Sequence, residues 1–252
     1  MGRVLAFVYG VVAYFAFFGT ILYMIGFVGN FVVPKAVDTG MVGATGQSIV
    51  INAFLVMLFG VQHSVMARPG FKKWWTKYIP EPIERSTYVL IASFLLMLLF
   101  WQWRPLKGIV WNVDSTAGQF ILYGLFGLGW ATVFLSSFLI NHFDLFGLRQ
   151  VYYHLTGKKY SHTPFKIVFL YRFSRNPLML GFVIAFWATP LMTTGHLLFV
   201  ALMTAYIFIG INFEEQTILH FLGDEYRQYR EKTPMILPVP KLGKAGRCPF
   251  HF

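Results

Sequence analysis

The sequence predicts an all-α integral membrane protein with about five to six transmembrane helices, a short C-terminal helical hairpin and a pocket on the cytosolic side. Three observations predict it. Of 252 residues, 56% are hydrophobic and only 12% charged, against roughly 45–50% and about 25% in soluble globular chains. The mean hydropathy is +0.58. The apolar residues also fall in blocks long enough to cross a bilayer core about 30 Å thick, which takes roughly 20 helical residues. The 28 phenylalanines exclude a disordered chain. The single cysteine, Cys248, excludes an internal disulfide framework and any multi-cysteine metal site.

Residues 4–33 form the first expected span, with Asn30 its one notable polar side chain. Residues 48–67 form the second and carry Asn52, Gln62 and His63. Residues 86–103 and 118–140 form the third and fourth. The block 178–211 is too long for one ordinary span, and Thr189-Pro190 and Thr193-Thr194-Gly195 interrupt it with turn chemistry. It reads as a hairpin of two helices of about 16 or 17 residues each, short enough to be tilted or partly re-entrant. The whole is one membrane domain, 1–252. Residues 1–140 hold four spans; residues 141–252 hold a polar loop, the hairpin and a C-terminal cytosolic helix. Trp101, Trp103 and Trp111 at one edge, with Trp74 and Trp75 at the other, have the pattern of interfacial anchors.

The formal net charge of +11 needs a partner or a location. Between these spans, 18 of the 21 Lys and Arg fall on one side, leaving only Lys35, Arg104 and Lys107 on the other. By the positive-inside rule that asymmetry places both termini in the cytosol. It also accounts for the charge with a lipid bilayer alone and without a nucleic acid.

Two long polar stretches, 141–177 and 212 to the end, flank the hairpin and so converge in space on the cytosolic side. In the first, His142 and Asp144 fall where a helix leaves the membrane, and His154 and His162 lie farther on. The spacings of these histidines match no common zinc pattern, so no metal is expected. Arg172 and Arg175 precede Pro177, a residue suited to the first turn of a helix, with Asn176 or Ser174 placed to cap it. A helix N-terminus beside two arginines favours a carboxylate or phosphate. Gly181, four residues in, leaves room for a helix or a ligand to approach closely. The second stretch opens on Glu214-Glu215. Adjacent helical residues cannot face the same way, so one turns to the pocket and the other to water or an arginine.

Arg175-Asn176-Pro177 followed by Gly181 resembles the Arg-His-Pro-x-x-x-Gly element of the isoprenylcysteine carboxyl methyltransferase superfamily. Glu214-Glu215, then Phe221-Leu222-Gly223, Tyr226, Tyr229 and Pro234-Met235-Ile236-Leu237-Pro238, resembles that superfamily's C-terminal element. Asn141-His142-Phe143-Asp144-Leu145-Phe146-Gly147-Leu148-Arg149-Gln150 and Ala185-Phe186-Trp187-Ala188-Thr189-Pro190 resemble more closely the bacterial methanethiol S-methyltransferases, a group related to the nuclear-envelope protein nurim. Gln62-His63-Ser64 is the most similar piece of the N-terminal half. Asn176 stands where the superfamily usually has His, and Met179 where it often has Tyr. Asn donates and accepts hydrogen bonds but does not titrate.

The resemblance implies methyl transfer from S-adenosylmethionine to methanethiol, or to a similar small thiol such as hydrogen sulfide, giving dimethyl sulfide, in a bacterial inner membrane. It implies cofactor contacts from Gln150, His154, Tyr171, Arg172, Arg175, Asn176, Pro177, Gly181, Glu214 and Glu215. The thiolate is the attacking form, so a base is expected: His142 with Asp144 first, then His154, then His63. The alternatives are another acceptor, an isoprenylcysteine carboxylate or a lipid, and a non-enzymatic nurim-like protein. Transport has little support, because charge within the spans is nearly absent.

Overall fold

The computed structural model describes residues 2–161 and 165–237; His162, Pro238 and Cys248 lie outside the described residues. Helix α1 (Arg3–Gly29) ends where Asn30 turns left-handed (φ 57) and its N–H bonds the Gly26 carbonyl, the asparagine form of a helix stop. With α1, the helices α2 (Thr45–Met66), α4 (Glu81–Gln102), α5 (Thr116–Ile140) and α9 (Thr194–Leu222) make five that are long and apolar enough to cross a membrane. Between and after them lie α3 (Pro69–Trp75), α6 (His142–Leu145), α7 (Leu148–Leu155), a 3₁₀ turn at Phe169–Arg172, α8 (Pro177–Trp187) and α10 (Asp224–Lys232). Two short strands, β1 (Ile109–Asn112) and β2 (Leu191–Thr193), pair antiparallel with Trp111 opposite Met192. An all-α expectation does not include this small sheet.

The outward faces of the long helices carry Val8, Val12 and Phe15 on α1, Phe54, Met57 and Val61 on α2, Phe94 and Met97 on α4, and Phe120, Ile121 and Phe138 on α5, all exposed. A soluble protein rarely exposes so much contiguous apolar surface; lipid covers it here, and the protein is integral to a membrane. Inside, Phe199 of α9 joins four helices. Its ring lies 5.6 Å from Phe27, 5.5 Å from Trp103 and 5.5 Å from Phe186. Trp103 is therefore a core residue, fully buried, not the interfacial anchor expected of it. Trp101, two residues away, faces out.

The expected hairpin of two similar helices is corrected. Helix α8 has 11 residues and α9 has 29, which at 1.5 Å per residue is roughly 16 Å against roughly 44 Å. Helix α8 stops because Thr189 precedes a proline and is pushed out of the helical region. Helix α9 starts on a cap, Thr193 Oγ1 accepting the His196 N–H at 3.0 Å. Nothing breaks it at Ile211, and it runs on to Gly223 (φ +55). The short α8 lies along α5 and not chiefly along α9. Gly181 meets Gly129 there: a methyl group at Gly181 would sit 2.7 Å from the Gly129 carbonyl oxygen and 2.8 Å from the Val133 nitrogen. Of the two uses open to Gly181, helix approach is the one the packing shows. Gly181→Ala therefore forces backbone from backbone and destabilises by about 1–3 kcal/mol, read as a lower Tm in detergent. Gly210→Ala, with nothing within 4 Å of the new methyl group, is the matched control: it carries only the helix-propensity gain of about 0.5–1 kcal/mol and does not lower Tm.

Candidate active site

At the end of the molecule that carries the basic loops, polar side chains from several elements converge on two adjacent residues of α9. Successive helical residues point about 100° apart, so Glu214 and Glu215 face different surroundings. Glu215 is buried. Its carboxylate accepts from Arg175 Nε at 2.7 Å and Nη2 at 3.2 Å, and Arg230 Nε lies 3.6 Å away. Arg175 Nη1 donates to the carbonyls of Arg230 (2.7 Å) and Thr233 (2.9 Å), and its backbone N–H to that of Pro234 (2.9 Å). Asn176 Nδ2 donates to the Met235 carbonyl at 3.1 Å. Asn176 thus occupies the cap position of α8 without capping it; its side chain holds the segment after α10 instead. Arg175, Asn176 and Glu215 together fasten that segment across the start of α8, where Pro177 is buried in the first turn.

Glu214 has the opposite character. It is exposed, yet the guanidiniums of Arg68 and Arg85 lie within electrostatic reach, as do the hydroxyls of Tyr88, Tyr171, Tyr206 and Tyr226. The carboxylate and the six groups that act on it electrostatically, drawn from α4, α9, α10, the 3₁₀ turn and the head of α3, form one polar cluster, here called the Glu214 recess. Arg68 is held by the carbonyl of Phe213 (2.9 Å) and Thr217 Oγ1 (3.1 Å). Arg85 donates its Nε to the Leu145 carbonyl at 2.8 Å and stacks over Tyr88. Burial and Glu214 push the Tyr171 hydroxyl up from its ordinary pKa, and burial and Glu215 do the same for Tyr226. Tyr229 is pushed up to about 12, chiefly by burial, and donates to the Tyr171 carbonyl at 2.6 Å. These phenols stay neutral across the physiological range.

His63 borders this recess. Its Nε2 lies 2.8 Å from Tyr88 Oη, its ring contacts Tyr206, and its Nδ1 is buried without a partner. Tyr88 also donates toward the His63 carbonyl at 3.3 Å. The Tyr88 hydroxyl proton goes either to His63 Nε2 or to its carbonyl; in the second case Nε2 carries the imidazole proton and Nδ1 is the acceptor.

His142 and Asp144 have separate surroundings. His142 is buried, with Nε2 at 2.9 Å from Tyr14 Oη and Nδ1 at 2.8 Å from Ser137 Oγ, and it stacks on Phe138. Asp144 instead accepts from Tyr160 (2.9 Å) and Gln150 (3.2 Å), with Arg149 at 3.7 Å. His154 lies half-buried on α7 and Arg172 is exposed on the 3₁₀ turn. Of the residues singled out in the sequence, Tyr171, Glu214 and His63 come together here, while Arg175, Asn176 and Glu215 form the adjoining clasp. Arg68, Arg85, Tyr88 and Tyr206 were missed. The two arginines bound the basic loop and had been read only as a sign of sidedness.

Burial lowers the His142 pKa. The unfolded chain then binds a proton that the folded one refuses. Stability is full above about pH 6.5, the unperturbed value, and falls as pH drops below it. His142→Gln, which keeps hydrogen-bonding capacity, loses less Tm than the wild type between pH 7.5 and 5.5.

Comparison with known proteins closes the question of family. The chain is 53% identical to the methanethiol S-methyltransferase of Mycobacterium tuberculosis, over 95% of this chain and 98% of that one. It is 53% identical to methanethiol S-methyltransferase 1 of Bradyrhizobium diazoefficiens, over 94% and 83%. A nurim homologue of Drosophila pseudoobscura pseudoobscura is 29% identical over 68% of this chain and 70% of its own. No family model and no solved structure matches. At that identity over nearly the full length of both proteins, the chain belongs to the methanethiol S-methyltransferase family.

Proposed function

We propose that the protein transfers a methyl group from S-adenosylmethionine to the sulfur of methanethiol or a comparably small thiol, giving dimethyl sulfide. The observation that carries the reading is the Glu214 recess in a chain so similar to enzymes of that name. S-adenosylmethionine presents an ammonium, a carboxylate, ribose hydroxyls, an aromatic base and a cationic sulfur. The recess answers with a carboxylate, two guanidiniums and four phenol rings. Glu214 would hold the ammonium or the ribose hydroxyls. Arg85 or Arg68 would hold the carboxylate by charge-assisted hydrogen bonds. Tyr171 and Tyr226 would lie against the adenine or the sulfonium. The clasp of Arg175, Asn176 and Glu215 positions Tyr226 and Tyr229 without touching the cofactor. We place this end in the cytosol, where the charged cofactor is available.

When bound, the cofactor supplies a methyl group already activated by the sulfonium charge. The protein's own task is alignment, exclusion of water and removal of the thiol proton. His63 Nδ1 is the base this reading assigns, with Tyr88 fixing the tautomer; the partners of His142 leave it no free nitrogen for that role. His63→Ala lowers the rate at neutral pH by about 10²–10⁴-fold, the usual contribution of a general base, and the deficit shrinks as pH approaches the thiol's own pKa. A pH-independent deficit would remove His63 from the proton path. The donor is tested with S-adenosylmethionine carrying a trideuterated methyl group. Dimethyl sulfide three mass units heavier is expected, and unlabelled product would exclude it as donor.

A further inference from the structure

We infer that the end opposite the Glu214 recess carries a separate anion site, where the uncapped N-terminus of α2, the Ser48 hydroxyl and the Arg104 guanidinium meet around one small cavity suited to a phosphate-type group. The cavity holds about 170 Å³ and is lined by Gly43, Gln47, Ser48, Ile51 and Arg104. Helix α2 begins at Thr45 with Ala44 in the cap position and no side-chain acceptor for its first-turn N–H groups. Such a terminus carries partial positive charge and free donors.

Two further observations point to a ligand independently of the helix end. Ser48 is 1% exposed, and its hydroxyl has no hydrogen-bond partner. Arg104 Nε is likewise buried and unpartnered. Buried polar groups are almost always satisfied, and an orphaned one is costly. Both atoms belong to residues lining the same cavity, so one acceptor-rich guest would satisfy them together. Arg104 is held there deliberately by Asn52, fully buried. The Asn52 Nδ2 donates to the Arg104 carbonyl at 2.7 Å, and its Oδ1 accepts the Arg104 N–H at 2.8 Å.

The local charge sets the sign of the guest. Only Lys35, Arg104 and Lys107 are basic at this end. Lys35 lies within electrostatic reach of Arg104 and is anchored to the Trp101 carbonyl at 2.5 Å. Among the described residues, neither Lys35 nor Arg104 has a carboxylate within ion-pair distance. The acids of this end are engaged elsewhere: Asp38 with Asn30 and Thr193, Asp114 with Asn112. Arg104, a cation without a carboxylate partner beside a helix N-terminus, selects a negative guest. The volume admits a tetrahedral oxyanion and excludes a nucleotide. It would be free phosphate or the phosphate of a lipid headgroup, since exposed Trp101 marks headgroup depth nearby. Either would join the start of α2 to the end of α4.

The test uses the full-length protein purified in a detergent without charged groups and stripped of lipid. Inorganic phosphate raises Tm saturably, and phosphatidylglycerol, added separately, stays bound in native mass spectrometry. Ser48→Ala and Arg104→Gln each raise the concentration for half effect by about tenfold or more, the loss of one hydrogen bond to a charged group. A response to lipid with none to phosphate assigns the site to a headgroup; a response to phosphate alone assigns it to a free anion. If neither ligand shifts the wild type, or if Ser48→Ala, which should fold normally, responds like the wild type to both, the site does not exist.

Discussion

Arg175→Met lowers stability by about 2–4 kcal/mol, somewhat less than the usual effect of stranding one partner of a buried ion pair, because Arg230 Nε stays 3.6 Å from the Glu215 carboxylate. Both side chains of the Arg175–Glu215 pair are about 5% exposed, so solvent screening does little to soften the loss. The substitution also orphans the carbonyls of Arg230 and Thr233, which Arg175 Nη1 bonds. Glu215→Gln is milder, because Arg175 keeps those two carbonyls. The double variant Arg175→Met, Glu215→Leu removes both charges and loses less than the sum of the single changes. Unfolding in detergent followed by tryptophan fluorescence measures all three. Additive losses would mean that the pair does not act as a unit.

Glu214→Gln has the reverse profile. The side chain is exposed and the change nearly isosteric, so stability moves by no more than about 0.5 kcal/mol. Binding of S-adenosylmethionine weakens by about a hundredfold, or about 2.8 kcal/mol at 1.4 kcal/mol per factor of ten, because a charge-assisted contact in a protein recess is lost. Calorimetry on the wild type and the variant measures it. Two adjacent glutamates thus separate, one acting on the fold and the other on the ligand.

The membrane helices were legible because their signal is local: a run of apolar residues of the right length needs no knowledge of its neighbours. The α8–α9 block was read less well. Thr189-Pro190 marked the break, and Glu214-Glu215 read as helical, but nothing in the sequence alone says that Gly181 packs on Gly129, or that one unbroken helix joins the span to those glutamates. Trp103 and Trp101 have the same residue type two positions apart. Only packing against Phe27 and Phe199 distinguishes core from interface. At the site, the sequence argument that Glu214 and Glu215 must diverge, one toward an arginine, agrees with the Arg175 pair. The proximity of His142 to Asp144 in sequence suggested a catalytic couple. The helix break at Asn141, with φ 138, sends them to different partners. Arg68, Arg85, Tyr88 and Tyr206 come from elements far apart in the chain, so no spacing announces them. The recess exists only once α2, α4 and α9 are side by side.

The most direct test is headspace gas chromatography of dimethyl sulfide over membranes containing either the wild type or Glu214→Gln, supplied with S-adenosylmethionine and methanethiol. The account predicts product from the wild type that requires both compounds, and at least a hundredfold less from the variant at subsaturating cofactor with equal folded protein. Wild-type membranes that release no more than protein-free ones, or a variant as active as the wild type, would contradict it.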